Sequence, residues 1–299
     1  MLCLIFTMTF NNIYSKHNKK KAHYQKTILD SFKNNNEISS YILRTRLKQY
    51  TFEILKELSF NDSTLENISK KYKVEPVIKL DINHDGAIDL IIIYRALSID
   101  YLYYNSEKKV IKLKHVPGTR GNEILRPVVK NGKLYFEYFN YKFKETNTDW
   151  TNKFEMVKLR FHKEEFIELT NHNSKYNIEK LEYSAEGCYG ECPIFNMVIE
   201  KNRAAIYNAI KYNNRNGVLN AVIDRTSFNK FVYMLNYIDF VKLDSSYNVM
   251  HSDDQTCVLK VTYNNGKVKE IRDYGLVGTF GLKSLYDLLF ELRETQSWN

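Results

Sequence analysis

The chain has no G-x-S-x-G elbow, no G-x-x-x-x-G-K-[ST] loop, no G-x-G-x-x-G fingerprint and no H-E-x-x-H helix. Those absences remove the sequence-readable forms of the hydrolase nucleophile, the nucleotide phosphate loop, the dinucleotide fold and the zinc protease. Cysteine is scarce, at 4 residues. No second Cys pair and no close His accompanies Cys188 and Cys192, so a four-ligand zinc site is not expected. Beyond the first ten residues no stretch is long and apolar enough to cross a membrane as a helix. Trp is nearly missing, with 2 residues against 23 Tyr, a composition that suits half-buried sheet faces. Acidic charge is in deficit, and the net charge is +9. That excess is concentrated only at Lys19-Lys20-Lys21. Elsewhere Lys is interleaved with Glu and Asp as on a solvated surface, so a nucleic-acid partner is not expected.

What is present describes a globular protein, with 43% hydrophobic and 26% charged residues over 299 positions, room for two ordinary domains. Residues 1–10 are apolar and stop at Asn11-Asn12. They are too short to span a bilayer but match the hydrophobic region of a signal peptide. The positive n-region and the small-x-small cleavage site are missing, and Cys3 lacks the small residues that precede a lipoprotein cysteine. Residues 1–22 therefore read as a degraded export signal followed by a basic linker, with a buried first strand as the alternative.

The most informative stretch is Asp81-Ile82-Asn83-His84-Asp85-Gly86-Ala87-Ile88-Asp89. Side-chain oxygens recur at positions 1, 3, 5 and 9, Gly stands at position 6, and the Ala87 carbonyl falls at position 7. A hard dication needs several oxygens, and Gly permits the sharp turn that brings both arms inward. Asp81, Asn83, Asp85, Ala87 and Asp89 are thus the candidate Ca2+ ligands, and His84 should point outward. An Asx-rich turn without an ion is the competing reading. Position 12 is Ile92, where an EF-hand carries Glu, and it lies in an apolar run that reads as a buried strand. In this strand–loop–strand form the stretch resembles the calcium loops of FG-GAP and VCBS repeats, with pattern D-x-N-x-D-G-x-x-D-L. The resemblance implies that Asp89 closes the site.

Apolar residues recur at three- and four-residue spacing from Gln25 to Leu58, which predicts helix, with a break at Asn34-Asn35-Asn36. Asp62 is placed to cap a short helix through Lys71. Strands follow at Val77–Leu80, Leu90–Tyr94, Tyr101–Tyr104 and Val110–Lys114, with a loop over 117–122. Asn131-Gly132 predicts a type I′ hairpin between flanking strands. Another hairpin is expected around His162-Lys163-Glu164. The aromatics of Leu134–Tyr141 occupy both faces, as in a strand buried on both sides or in a sugar- or protein-binding surface. The polar run Asn171-His172-Asn173-Ser174 marks the boundary, giving domains at 23–173 and 174–299.

The second domain opens with a strand at Ile178–Tyr183 and then Gly187-Cys188-Tyr189-Gly190-Glu191-Cys192-Pro193-Ile194-Phe195. These residues and the closing helix before Trp298 resemble an uncharacterised bacterial family, domain of unknown function 6438. The family implies no activity. A C-x3-C spacing misses that of zinc ribbons and redox turns. In an exported protein a local disulfide is favoured over two free thiols, and Cys257 reads as a small buried hydrophobe. Helices at Ser227–Tyr237 and Leu282–Leu292, with hairpins that include Asn265-Gly266, complete the domain. Gly275, Gly278 and Gly281 are turn glycines, and His251-Ser252-Asp253-Asp254 is a solvated loop.

The fold class is α+β: N-terminal helices with an antiparallel β-rich module, then a second α+β domain of hairpins and two helices. The function expected is a non-enzymatic, secreted or cell-envelope protein with one structural calcium loop and a protein or glycan partner at the cell surface. No residue set for catalysis emerges. The alternative is a hydrolase-type enzyme with an interdomain site.

Overall fold

A computed structural model describes residues 24–45, 54–94, 98–116, 123–145, 150–170, 174–249 and 252–299. The export-signal reading of 1–22, the loop at 117–122, the boundary residues 171–173 and His251 lie outside them. The chain is α+β and divides into two units, one of residues 1–141 with 154–166, the other of 142–153 with 167–299. No helix among the described residues is long and apolar enough to cross a membrane.

In the first unit a 3-10 turn, Ile28–Ser31, precedes helix α1, Asn35–Thr45. Asn34 Oδ1 accepts the Glu37 N–H at 3.1 Å, so the asparagine run supplies the cap of this helix. The helical pattern over 25–58 is not a single helix. Ile54 pairs with Tyr94 in an isolated antiparallel bridge, so its end is extended. Apolar spacing shows that a segment is amphipathic, and here pairing with the end of β2 decides its conformation. Helix α2, Ser63–Tyr72, begins as expected, with Asp62 Oδ1 accepting the Leu65 N–H at 2.9 Å.

Strands β1 (Val77–Leu80), β2 (Asp89–Tyr94), β3 (Ser98–Asn105) and β4 (Val110–His115) form an antiparallel sheet in sequential order. On one face Leu90, Ile92 and Leu102 bury against Leu29, Ile38, Ile42 and Ile54. Ile91 and Ile93, of opposite parity, are equally buried. Each such side chain contributes about 1.5–3 kcal/mol of burial, and the pairing of Leu80 with Asp89 and of Leu90 with Leu102 sets where Asp89 enters the strand. A further sheet follows in the order β5 (Ile124–Lys130), β6 (Lys133–Glu145), β7 (Trp150–His162) and β8 (Glu165–Glu168). Its Asn131-Gly132 turn has φ of 52° and 71°, the two positive values that a type I′ turn needs. In β6, Phe136, Tyr138 and Phe139 are buried and Tyr135 half-buried, so this strand is covered on both sides.

From residue 178 onward the second unit is one seven-stranded sheet with two helices. The elements are β9 (Ile178–Ala185), β10 (Ile194–Glu200), β11 (Ala204–Lys211), β12 (Gly217–Val222), α3 (Arg225–Tyr237), β13 (Ser246–Tyr247), β14 (Thr256–Tyr263), β15 (Lys267–Tyr274) and α4 (Phe280–Thr295). The sheet order is β12-β11-β10-β9-β14-β15-β13, with β13 parallel to β15 and the other neighbours antiparallel. Odd-numbered residues such as Leu181, Tyr183, Met197, Tyr207, Leu259 and Val261 share a core with Phe231, Leu235, Leu285 and Leu289 of the helices. The Asn265-Gly266 hairpin closes through a three-residue loop, since Tyr263 pairs with Lys267. The Glu179 carboxylate accepts the N–H groups of Asn265 and Gly266 at 2.7 and 3.1 Å, and this contact from β9 stabilises the longer loop.

Candidate functional site

The 81–89 loop joins β1 to β2, and Leu80 and Asp89 are cross-strand partners at its base. Asp81 Oδ1 accepts the Asp85 N–H at 3.1 Å, and its Oδ2 accepts that of Gly86 at 3.0 Å. Asn83 Oδ1 also accepts from Asp85 N–H, and Asp85 Oδ1 accepts from Ala87 N–H at 2.9 Å. Gly86 has φ of 88°, a backbone state that costs glycine little and other residues more. His84 is exposed, as its place in the pattern required.

Asp89 is fully buried. Its Oδ2 accepts the Ile82 N–H and its Oδ1 the Tyr104 N–H, both at 2.8 Å. The carboxylate thereby ties the loop to the end of β3. Burial pushes its pKa up to about 8, with repulsion from Asp81 and Asp85 adding to the effect and the two backbone donors opposing it. Burial likewise raises the pKa of Asp81. Among the described residues no three His, Cys, Asp or Glu side chains converge as a ready-made metal cluster. The three loop carboxylates are thus not gathered as such a cluster, and each engages backbone N–H groups instead. A carboxylate has about four lone-pair sites, so these bonds do not exhaust the acceptors of Asp81, Asp85 and Asp89. The donor set is all oxygen and suits a hard ion.

Two anchors of the loop had no sequence signal. The Gln25 N–H donates to the Gly86 carbonyl at 2.9 Å, and Gln25 Nε2 donates to Tyr104 Oη at 2.8 Å. Asn83 Nδ2 donates to the Tyr104 carbonyl at 2.6 Å. None of these three contacts follows from local spacing, because the partners lie on segments far apart in the chain.

In the second unit, Cys188 and Cys192 stand at disulfide distance, with Cα atoms 5.7 Å apart. Gln255 Nε2 donates to the carbonyls of Glu186 and Pro193, at 2.9 and 2.8 Å, and so clamps the base of the turn. Cys257 is buried within β14. Tyr183 Oη donates to its Sγ at 2.8 Å, and burial pushes the thiol up to about 12. Asp273 is also buried and accepts the N–H groups of Val277 and Gly278 at 2.9 and 3.0 Å. That contact explains Gly278, where a Cβ would lie 2.7 Å from Asp273 Oδ2, whereas Gly281, expected in a turn, lies within the first turn of α4.

Residues 179–293 match the family model described as domain of unknown function (DUF6438). The match lies within the second unit. The Cys188–Cys192 turn, the Gln255 clamp and the Asp273 turn all belong to the DUF6438 segment, whereas the 81–89 loop lies outside it. No curated protein and no solved structure matches the chain.

Proposed function

We propose that the 81–89 loop holds one calcium ion as a structural element, and that the chain is a non-enzymatic interaction protein of the cell exterior or envelope. The observation that carries this reading is the buried Asp89 carboxylate closing a D-x-N-x-D-G loop. Three carboxylates in one nine-residue loop, one of them out of water, oppose each other's ionisation, and a divalent cation offsets both costs. Asp81, Asn83, Asp85, the Ala87 carbonyl and Asp89 would hold it. Bound there, the ion would brace the turn from β1 into β2 and the attachment of Tyr104. A cysteine pair at disulfide distance supports an oxidising compartment, and extracellular calcium suits a site lacking the position-12 Glu.

The test is thermal unfolding with millimolar calcium and with chelator. Affinity should lie near 10⁻⁴–10⁻³ M, roughly the extracellular range. At ten times the dissociation constant calcium should stabilise the fold by about 1.4 kcal/mol. Asp85→Ala should abolish the difference and His84→Ala should keep it. A wild-type melt indifferent to both additions would leave the loop as a plain turn.

A further inference from the structure

The turn at 188–192 presents a side chain that the fold does not use. Tyr189 is 88% exposed, whereas Tyr212, also at the surface, is 42% exposed. The backbone beneath Tyr189 is held at several points. The Cys188 and Cys192 sulfurs close a five-residue ring around it, and Gln255 clamps the two carbonyls just outside that ring. The Tyr189 N–H donates to the Asp253 carbonyl at 2.9 Å, and the Gly190 N–H donates to the Cys188 carbonyl at 2.9 Å. The surroundings are acidic. Glu191 and Asp253 are exposed, and Glu186 is engaged by Arg272 at 3.0 and 3.3 Å. An exposed aromatic ring on a held backbone, with the exposed Glu191 and Asp253 on the same turn and its backbone partner, is thus displayed on a chain whose net charge is +9.

We infer that this turn is a recognition tip for a basic protein segment, with Tyr189 as its anchor. This deepens the interaction-protein reading above and is independent of calcium. A tyrosine on a braced loop offers large contact area with little rotamer entropy to lose. Its ring face attracts Lys or Arg, and Glu191 and Asp253 supply the opposite charge. Because Gln255 holds the base without help from the sulfurs, the cysteine bridge acts on the tip rather than on the domain. Reduction should therefore loosen the display of Tyr189 and leave the fold intact.

The probe is a fluorescein-labelled deca-arginine peptide, titrated with the full-length chain and followed by anisotropy. The net positive charge of the chain repels such a peptide, so binding selects for an acidic locus. Wild type should bind. Tyr189→Ala should weaken binding about tenfold or more, Glu191→Gln several-fold, and Tyr212→Ala not at all. Dithiothreitol should weaken it several-fold with an unchanged circular-dichroism spectrum. Absence of binding, equal affinity in Tyr189→Ala, or equal loss in Tyr212→Ala would overturn the assignment. So would self-association of the chain that Tyr189→Ala abolishes, since the occupant would then be a second copy. A calcium-insensitive melt would not touch this result, and failure here would leave the calcium reading standing.

Discussion

Gly281→Ala sets two effects of known sign against each other. Gly281 lies in the first turn of α4, behind the Thr279 cap, whose Oγ1 accepts the Leu282 N–H at 3.2 Å. Alanine there would gain up to about 1 kcal/mol in helix propensity. A Cβ at this position, however, would sit 2.4 Å from Ile238 Cγ2 and 3.3 Å from Glu168 Oε2. Ile238 is β-branched and stiff at χ1, so its methyl cannot swing aside cheaply. Glu168 meanwhile accepts the N–H groups of Phe280 and Gly281, at 2.6 and 2.9 Å, and any push on it loosens the helix start. Overpacking of this kind costs about 1–3 kcal/mol. The cost should win by about 1–2 kcal/mol, which lowers the melting temperature of a unit this size by roughly 3–6 °C. Differential scanning calorimetry on the full chain measures the shift, and hydrogen exchange over 280–292 assigns it to α4. An unchanged or raised melting temperature would refute the packing argument.

Three further outcomes follow from the same contacts. Asp273 is raised by burial from 3.8 to about 6, so its contribution to stability is full below about pH 4 and lost as pH rises through 6. That gap corresponds to about 3 kcal/mol. Asp273→Asn should flatten the slope between pH 4 and 7 in urea unfolding, and a wild-type-minus-variant difference independent of pH would contradict this. Native protein from an oxidising compartment should show alkylation at neither Cys188 nor Cys192, and Cys257 should react only after unfolding. Intact mass with and without reductant decides it, and ready labelling at 188 and 192 would remove the bridge. Asp62→Ala should cost about 1 kcal/mol through loss of the α2 cap, with Tyr141 Oη also losing its acceptor at 3.0 Å. Chemical denaturation measures that cost, and a change of a few tenths or less would show that the cap contributes little.

The sequence was most informative where one local rule acts alone. Alternation placed β9, β14 and β15, Asn131-Gly132 placed its turn, and Asp62 placed the start of α2. The α+β class follows from those elements. Periodicity misled at Ile54, where the end of β2 took a residue with helical spacing. It also could not show that the Asn265-Gly266 hairpin needs a third loop residue, because Glu179 provides the compensation from β9. The same limit hid Glu168 beneath α4, Gln255 beneath the cysteine turn and Gln25 on the 81–89 loop. Each joins backbone groups tens of residues away, and nothing in the local pattern records the partner. At the candidate site the oxygen-bearing side chains and the outward His84 were legible. The burial of Asp89 was visible only as an aspartate entering an apolar strand.

The central claim is that residues 81–89 hold calcium, and the most direct measurement is a two-dimensional ¹H–¹⁵N titration of the full chain with calcium chloride. The amides of Asp85, Gly86 and Ala87 sit inside the loop and report on it site by site, as does that of Tyr104 through Asp89. These four signals should move together and saturate with one dissociation constant near 10⁻⁴–10⁻³ M, roughly the range for extracellular sites. The same titration of Asp85→Ala should leave them still. If they stay fixed in the wild type through about 10 mM calcium, ten times the weak end of that range, the loop does not bind the ion and the calcium account is wrong.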